Sequence, residues 1–83
     1  MDAIKMKVKV PTQLCVRKGP GLEYEIATAL DNKVIVEVSE ELNGWYKIQA
    51  LWTKDNKVRY PVHATAWVCG EYLRKFRGCK LFG

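Results

Sequence analysis

"LCVRKGPGLEYEIATAL", residues 14–30, is the stretch whose reading decides the fold. Leu14 and Val16 alternate with Cys15 and Arg17, the period-two pattern of a short half-buried strand. Gly19-Pro20-Gly21 then breaks the chain, and Ile26, Thr28 and Leu30 resume the alternation. Proline holds φ at about −65° and the glycine after it accepts positive φ, so Pro20-Gly21 predicts a type II turn. The loop from Arg17 to Glu25 is therefore expected to be a stiff, basic connection between two strands, carrying Leu22, Glu23 and Tyr24. A phosphate cradle is excluded: the third glycine of a dinucleotide fingerprint would fall at Tyr24, and no helical pattern follows.

The same periodicity runs outward on both sides. Upstream, Ile4, Met6, Val8 and Val10 share one face and Lys5, Lys7 and Lys9 the other, with Pro11-Thr12 ending the strand. A lysine face of this kind discourages stray edge pairing. Downstream, Asp31-Asn32 is read as a turn into "KVIVEVS", which puts Val34, Val36 and Val38 inward and Lys33, Ile35 and Glu37 outward. Asn43-Gly44 is the strongest short hairpin signal in the chain, because both residues tolerate the positive φ of a type I′ turn. After it, Tyr46, Ile48 and Ala50 are expected inward, and Trp45, Lys47 and Gln49 outward. A polar turn at 53–57 leads into a return strand, "VRYPVHATAWV", whose ladder Pro61 interrupts. "CGEYL" reads as a tight closing turn of 3₁₀ type.

No ten-residue stretch has helical periodicity. Short strands separated by turn signals about every ten residues predict an all-β fold, a small barrel or sandwich. At 83 residues the chain is one domain, assigned to residues 1–76, with a basic tail over 77–83. Surface scaling leaves about 63% of its area buried, enough for a single small core. The net charge of +5 concentrates in Lys5, Lys7, Lys9, Arg17 and Lys18 near the start and in Arg74, Lys75, Arg77 and Lys80 near the end. Such charge attracts polyanions, although it also serves simply to keep a small domain in solution. The opening residues lack the continuous apolar stretch of a signal peptide, and no run approaches the ~18 residues of a membrane-spanning helix.

Chemistry is sparse. Cys15, Cys69 and Cys79 have neither the even count of a disulfide framework nor a C-x-x-C metal spacing, so the simplest reading is free thiols, with a Cys15–Cys69 or Cys69–Cys79 bridge left open by the sequence. His63 is the single histidine, expected on the return strand, and nothing orients it toward a cysteine. Glu40 and Glu41 diverge on adjacent positions and do not form a hydrolytic pair. No metal, no cofactor and no catalytic role is expected. Aromatic residues stand out instead: Tyr24, Trp45, Tyr46, Trp52, Tyr60, Trp67 and Tyr72. Tyr46 and one face of Trp67 are expected in the core. If Tyr46 and Ile48 point inward, Trp45 points outward directly after a hairpin turn, where a binding groove is the usual reason for an exposed indole.

Three motifs in order, "LCVRKGPGLEYEIATAL", "NGWYKI" and "AWVCGEYL", resemble the bacterial SH3 domain (SH3b) family, over residues 14 to 73. The resemblance implies a small SH3-like antiparallel barrel of five to six short strands, here with an extended hairpin over residues 49–66. It implies a non-catalytic binding module that recognises cell-wall peptidoglycan or its peptide, and that often accompanies a catalytic domain of a cell-wall hydrolase. It implies a groove walled by the 17–25 loop, with Tyr24 and Glu23 or Glu25, and on the far side by Trp45 and Tyr72. Trp52 and Tyr60 of the extended hairpin are further candidates. Location at the cell wall or outside the cell, as part of a larger protein of bacterial or phage origin, follows from the resemblance, while the missing signal pattern keeps a cytoplasmic location open. Three departures stand against the family pattern: Cys15 for asparagine, Ala66 for glycine before Trp67, and the long hairpin. An adaptor that binds a protein partner is the second reading. Nucleic-acid binding is the third, because the positive charge sits at the chain ends rather than among the groove aromatics. No membrane partner is expected.

Overall fold

The computed structural model describes residues 4–75, so the 77–83 tail with Arg77, Cys79 and Lys80 lies outside the described residues. Within them the chain is all-β. The strands are β1 (Ile4–Val8), β2 (Gln13–Arg17), β3 (Ile26–Asp31), β4 (Ile35–Leu42), β5 (Trp45–Trp52), β6 (Arg59–Pro61), β7 (Trp67–Cys69) and β8 (Leu73–Lys75), with a 3₁₀ turn at Gly70–Tyr72. All pairings are antiparallel, in the order β3-β2-β7-β5-β4-β1-β8, with β6 pairing off β5. The strands curl into a small SH3-like barrel whose ladder ends at β3 and β8 without closing. The expected return strand is split: β6 belongs to the long hairpin, β7 to the barrel, and His63 lies in the exposed connection between them rather than on a strand.

Met6, Val8, Leu14, Val16, Leu30, Val36, Val38, Ile48, Val68 and Leu73 form a contiguous apolar core, which Tyr46 flanks. No polar or charged residue is fully buried among the described residues, so this core stabilises mainly by apolar burial, at about 25 cal/mol per Å². Asn43 and Gly44 have φ of 51° and 83°, as the I′ turn requires. The hairpin they close is anchored by Gly70, whose N–H donates to the Gly44 carbonyl at 2.8 Å. A Cβ at Gly70 would stand 2.6 Å from Tyr46 Cε2 and 2.8 Å from the Gly44 oxygen. Gly70→Ala is therefore expected to cost about 1–3 kcal/mol, read as a lowered thermal midpoint; an unchanged midpoint would show that the 3₁₀ turn has slack.

The sequence reading misplaces four features. Pro20-Gly21 is not a type II turn, since Gly21 does not have positive φ; its N–H instead donates to the Gly19 carbonyl at 2.9 Å, a three-residue turn around Pro20. Ala50 does not share a face with Ile48. The β4–β5 register shifts between Glu37 and Val38, pairing Val38 with Ile48 but Glu37 with Ala50, so a bulge at Gln49 reverses the alternation. For the same reason Leu51, next along, turns to the core. Ile35, expected exposed, is fully buried on the outer face, with Trp52 and Lys7 as its cross-strand partners. Thr28 and Ile26 are exposed on the edge strand β3, where Leu30 alone is buried. Trp67 is buried as expected but lies outside the contiguous core, on the face it shares with Arg17 and Lys47.

Candidate ligand groove

Where β2 and β7 pair only at Arg17 and Trp67, the surface beside them forms an open hollow of about 280 Å³. Three segments build it. The β1–β2 connection and β2 supply Pro11, Gln13 and Cys15; the 17–25 loop supplies Leu22; and β5, β7 and the closing turn supply Trp45, Cys69 and Tyr72. Trp45 is the cross-strand neighbour of Cys69, and its half-buried indole lines the hollow with it. Tyr72, 42% exposed, lines this hollow and also a second one. The two hollows adjoin at Val10, Pro11 and Tyr72, the first lined by Trp45 and the second by Lys9 and Arg74, and together they make up the trough.

The loop wall is fixed by its own hydrogen bonds. Arg17 Nη1 donates to the carbonyls of Leu22 (3.2 Å) and Tyr24 (2.9 Å). The Lys18 N–H donates to the Glu25 carbonyl at 2.9 Å, closing the loop base. Leu22 is held out at 74% exposure, an unusual position for a leucine unless it meets something. Tyr24 packs its ring against Gly19, where any Cβ would overlap it.

Among the candidates from the sequence, Trp45 and Tyr72 come together in the trough. Tyr24 lies beside it on the loop, over Gly19. Glu23 is exposed with its carboxylate beside Gly21, and Glu25 is ion-paired with Lys18 at 3.0 Å on the exposed loop. Trp52 and Tyr60 are elsewhere. Trp45 and Trp52 occupy opposite ends of the eight-residue β5, roughly 23 Å apart at the rise of a strand. Leu22, Arg17 and residues 11–13 also line the hollow, a role that the sequence patterns do not give them. Leu22 could have been found as a lone large apolar residue inside a polar turn region.

Trp52 belongs to a different cluster. The Glu37 carboxylate accepts from Trp52 Nε1 (3.0 Å), Gln49 Nε2 (2.7 Å) and Arg59 Nε and Nη2 (3.1 and 3.0 Å). Lys5 Nζ lies 3.5 Å from the centre of the Trp52 ring and donates to Asn56 Oδ1 at 3.0 Å. Hydrogen bonds from Arg59 pull the Glu37 pKa down to about 2, against the opposing effect of burial and with further help from Trp52. This cluster ties the long hairpin to the outer face of the barrel, away from the trough.

A trough between a preset loop and an aromatic hairpin, on a small antiparallel barrel, defines a binding module. Residues 12–74 match the family model of the bacterial SH3 domain, and the chain belongs to that family. Searches of curated proteins and of solved structures returned no match. Among the described residues no group of three or more His, Cys, Asp or Glu is placed to hold a metal ion, and no helix is long and apolar enough to cross a membrane.

Proposed function

We propose that the protein is a non-catalytic module that binds bacterial cell-wall peptidoglycan, or the peptide part of it, along the Trp45–Tyr72 trough. The observation that carries this reading is the placement of Trp45: a half-buried indole lines an open hollow whose opposite wall, the 17–25 loop, is already ordered. Preset side chains lower the ordering cost of binding by about 0.5–1.5 kcal/mol each. An extended peptide suits the trough better than a compact ligand, because a second hollow adjoins the first at Tyr72 and is lined by Lys9 and Arg74. A carboxylate on the ligand would find those cations. Attachment to a cell-wall hydrolase, and a place at the wall, fit the same reading.

Pelleting with purified sacculi tests it. The protein is expected to sediment with the sacculi and to be displaced by soluble muropeptides. Failure to sediment, together with retention of a protein partner from extract, would favour the adaptor reading. Nucleic-acid binding predicts affinity that falls steeply with salt; a titration at two salt concentrations distinguishes it.

A further inference from the structure

We infer that Cys15 and Cys69 form a reversible disulfide across the floor of the trough, and that this bond closes the trough to its ligand. The effect on binding rests on the reading of the trough given above; formation of the bond does not. β2 and β7 are antiparallel neighbours in register at Arg17 and Trp67. Two residues back along β2 and two forward along β7 bring Cys15 opposite Cys69, on the same face by the period of two. The ladder stops at Arg17–Trp67, so Cys15 and Cys69 are the next facing positions just beyond its end, and the bond requires the two strands to close there to the Cα span of a disulfide, about 4.4–6.8 Å. Both thiols line the same hollow, and both are free. Cys15 is exposed and Cys69 half-buried, its Sγ donating to Glu71 Oε1 at 3.9 Å.

The chemistry needs a low-molecular-weight disulfide as oxidant. The Cys15 thiolate attacks one of its sulfurs, forming a mixed disulfide and releasing one small thiol. The Cys69 thiolate then attacks the Cys15 sulfur, breaking the mixed bond and releasing the second small thiol. Two electrons pass to the oxidant, and the two thiol protons end on the released thiols. The ladder between β2 and β7, which stops at Arg17–Trp67, is thereby extended to the next pair on this face. Cys69 is the cross-strand partner of Trp45, so the bond narrows the hollow beside the indole.

The test uses the full chain carrying Cys79→Ser, which removes the third thiol. Equilibration with mixtures of reduced and oxidised glutathione, followed by intact mass and peptide mapping, is expected to give an internal Cys15–Cys69 bridge. Cys15→Ser and Cys69→Ser should each stop at the mixed disulfide. Sedimentation with sacculi should weaken roughly tenfold on oxidation and return with dithiothreitol. Only mixed disulfides, or only intermolecular dimers, in the parent protein would overturn the inference. A bridge that leaves sedimentation unchanged would overturn the closure. If the reduced protein never sediments, the proposed ligand fails while the mass readout still decides the bond.

Discussion

Trp45→Ala is expected to abolish sedimentation with purified cell walls while the protein stays folded. Aromatic anchors at the centre of a contact surface carry 2 kcal/mol or more of binding, which is roughly thirtyfold in affinity. The fold should tolerate the change, because Trp45 lies outside the apolar core and its backbone ladder to Cys69 needs no side chain. Lost strand propensity costs at most about 1 kcal/mol. Trp52→Ala is the matched control. It removes an equally large ring from the same strand, but from the Glu37 cluster, so it should lower stability and leave wall binding near the parent value. Equal sedimentation of the parent and Trp45→Ala, with circular dichroism showing both folded, would remove Trp45 from the site.

Glu37→Ala should detach the long hairpin from the barrel. The change leaves Trp52 Nε1, Gln49 Nε2 and the Arg59 guanidinium without their shared acceptor. The Glu37 side chain is 12% exposed, and losing a charged acceptor at such a site costs about 2–3 kcal/mol. For a domain of this size that lowers the thermal midpoint by roughly 10–20 °C. The pH dependence has a definite sign. The carboxyl titrates at about 2 in the folded protein and near 4.5 ordinarily, so the unfolded chain takes up the proton first as pH falls. The stabilisation is present above about pH 4.5 and is lost as pH falls toward about 2. Solvent screening at this rim holds the pH-dependent part to roughly 1–2 kcal/mol. The difference in midpoint between the parent and Glu37→Gln should shrink across that window. A constant difference would mean that Glu37 does not ionise differently in the two states.

The two clusters explain how far the site was legible. Trp45 was placed outward by a local argument, because only one residue separates the rigid Asn43-Gly44 turn from the core residue Tyr46. Tyr72 is implied as a groove residue only by the resemblance of "AWVCGEYL" to the family motif. Trp52 and Tyr60 looked similar in sequence, as aromatics in an unusual hairpin, and nothing local says which face of β5 an aromatic meets after a bulge. Leu22 was passed over because its exposure depends on the Arg17 hydrogen bonds that hold the loop, and these join residues five and seven apart.

The choice of a barrel over a sandwich came from the resemblance of three motifs to the bacterial SH3 domain family; what the sequence determined unaided is the strand content, the turn at Asn43-Gly44, and the inward sets in β1 and β2. These are local consequences of a side-chain period of two and of backbone φ preferences, and neighbouring residues suffice to express them. The tertiary structure alone decided that Ile35 is buried, that Ala50 and Ile48 part company, and that Glu37 gathers the long hairpin. It alone put Cys15 and Cys69 in one hollow with Trp45. Each of these depends on cross-strand register, and a one-residue shift between β4 and β5 reverses which atoms meet without altering any local pattern.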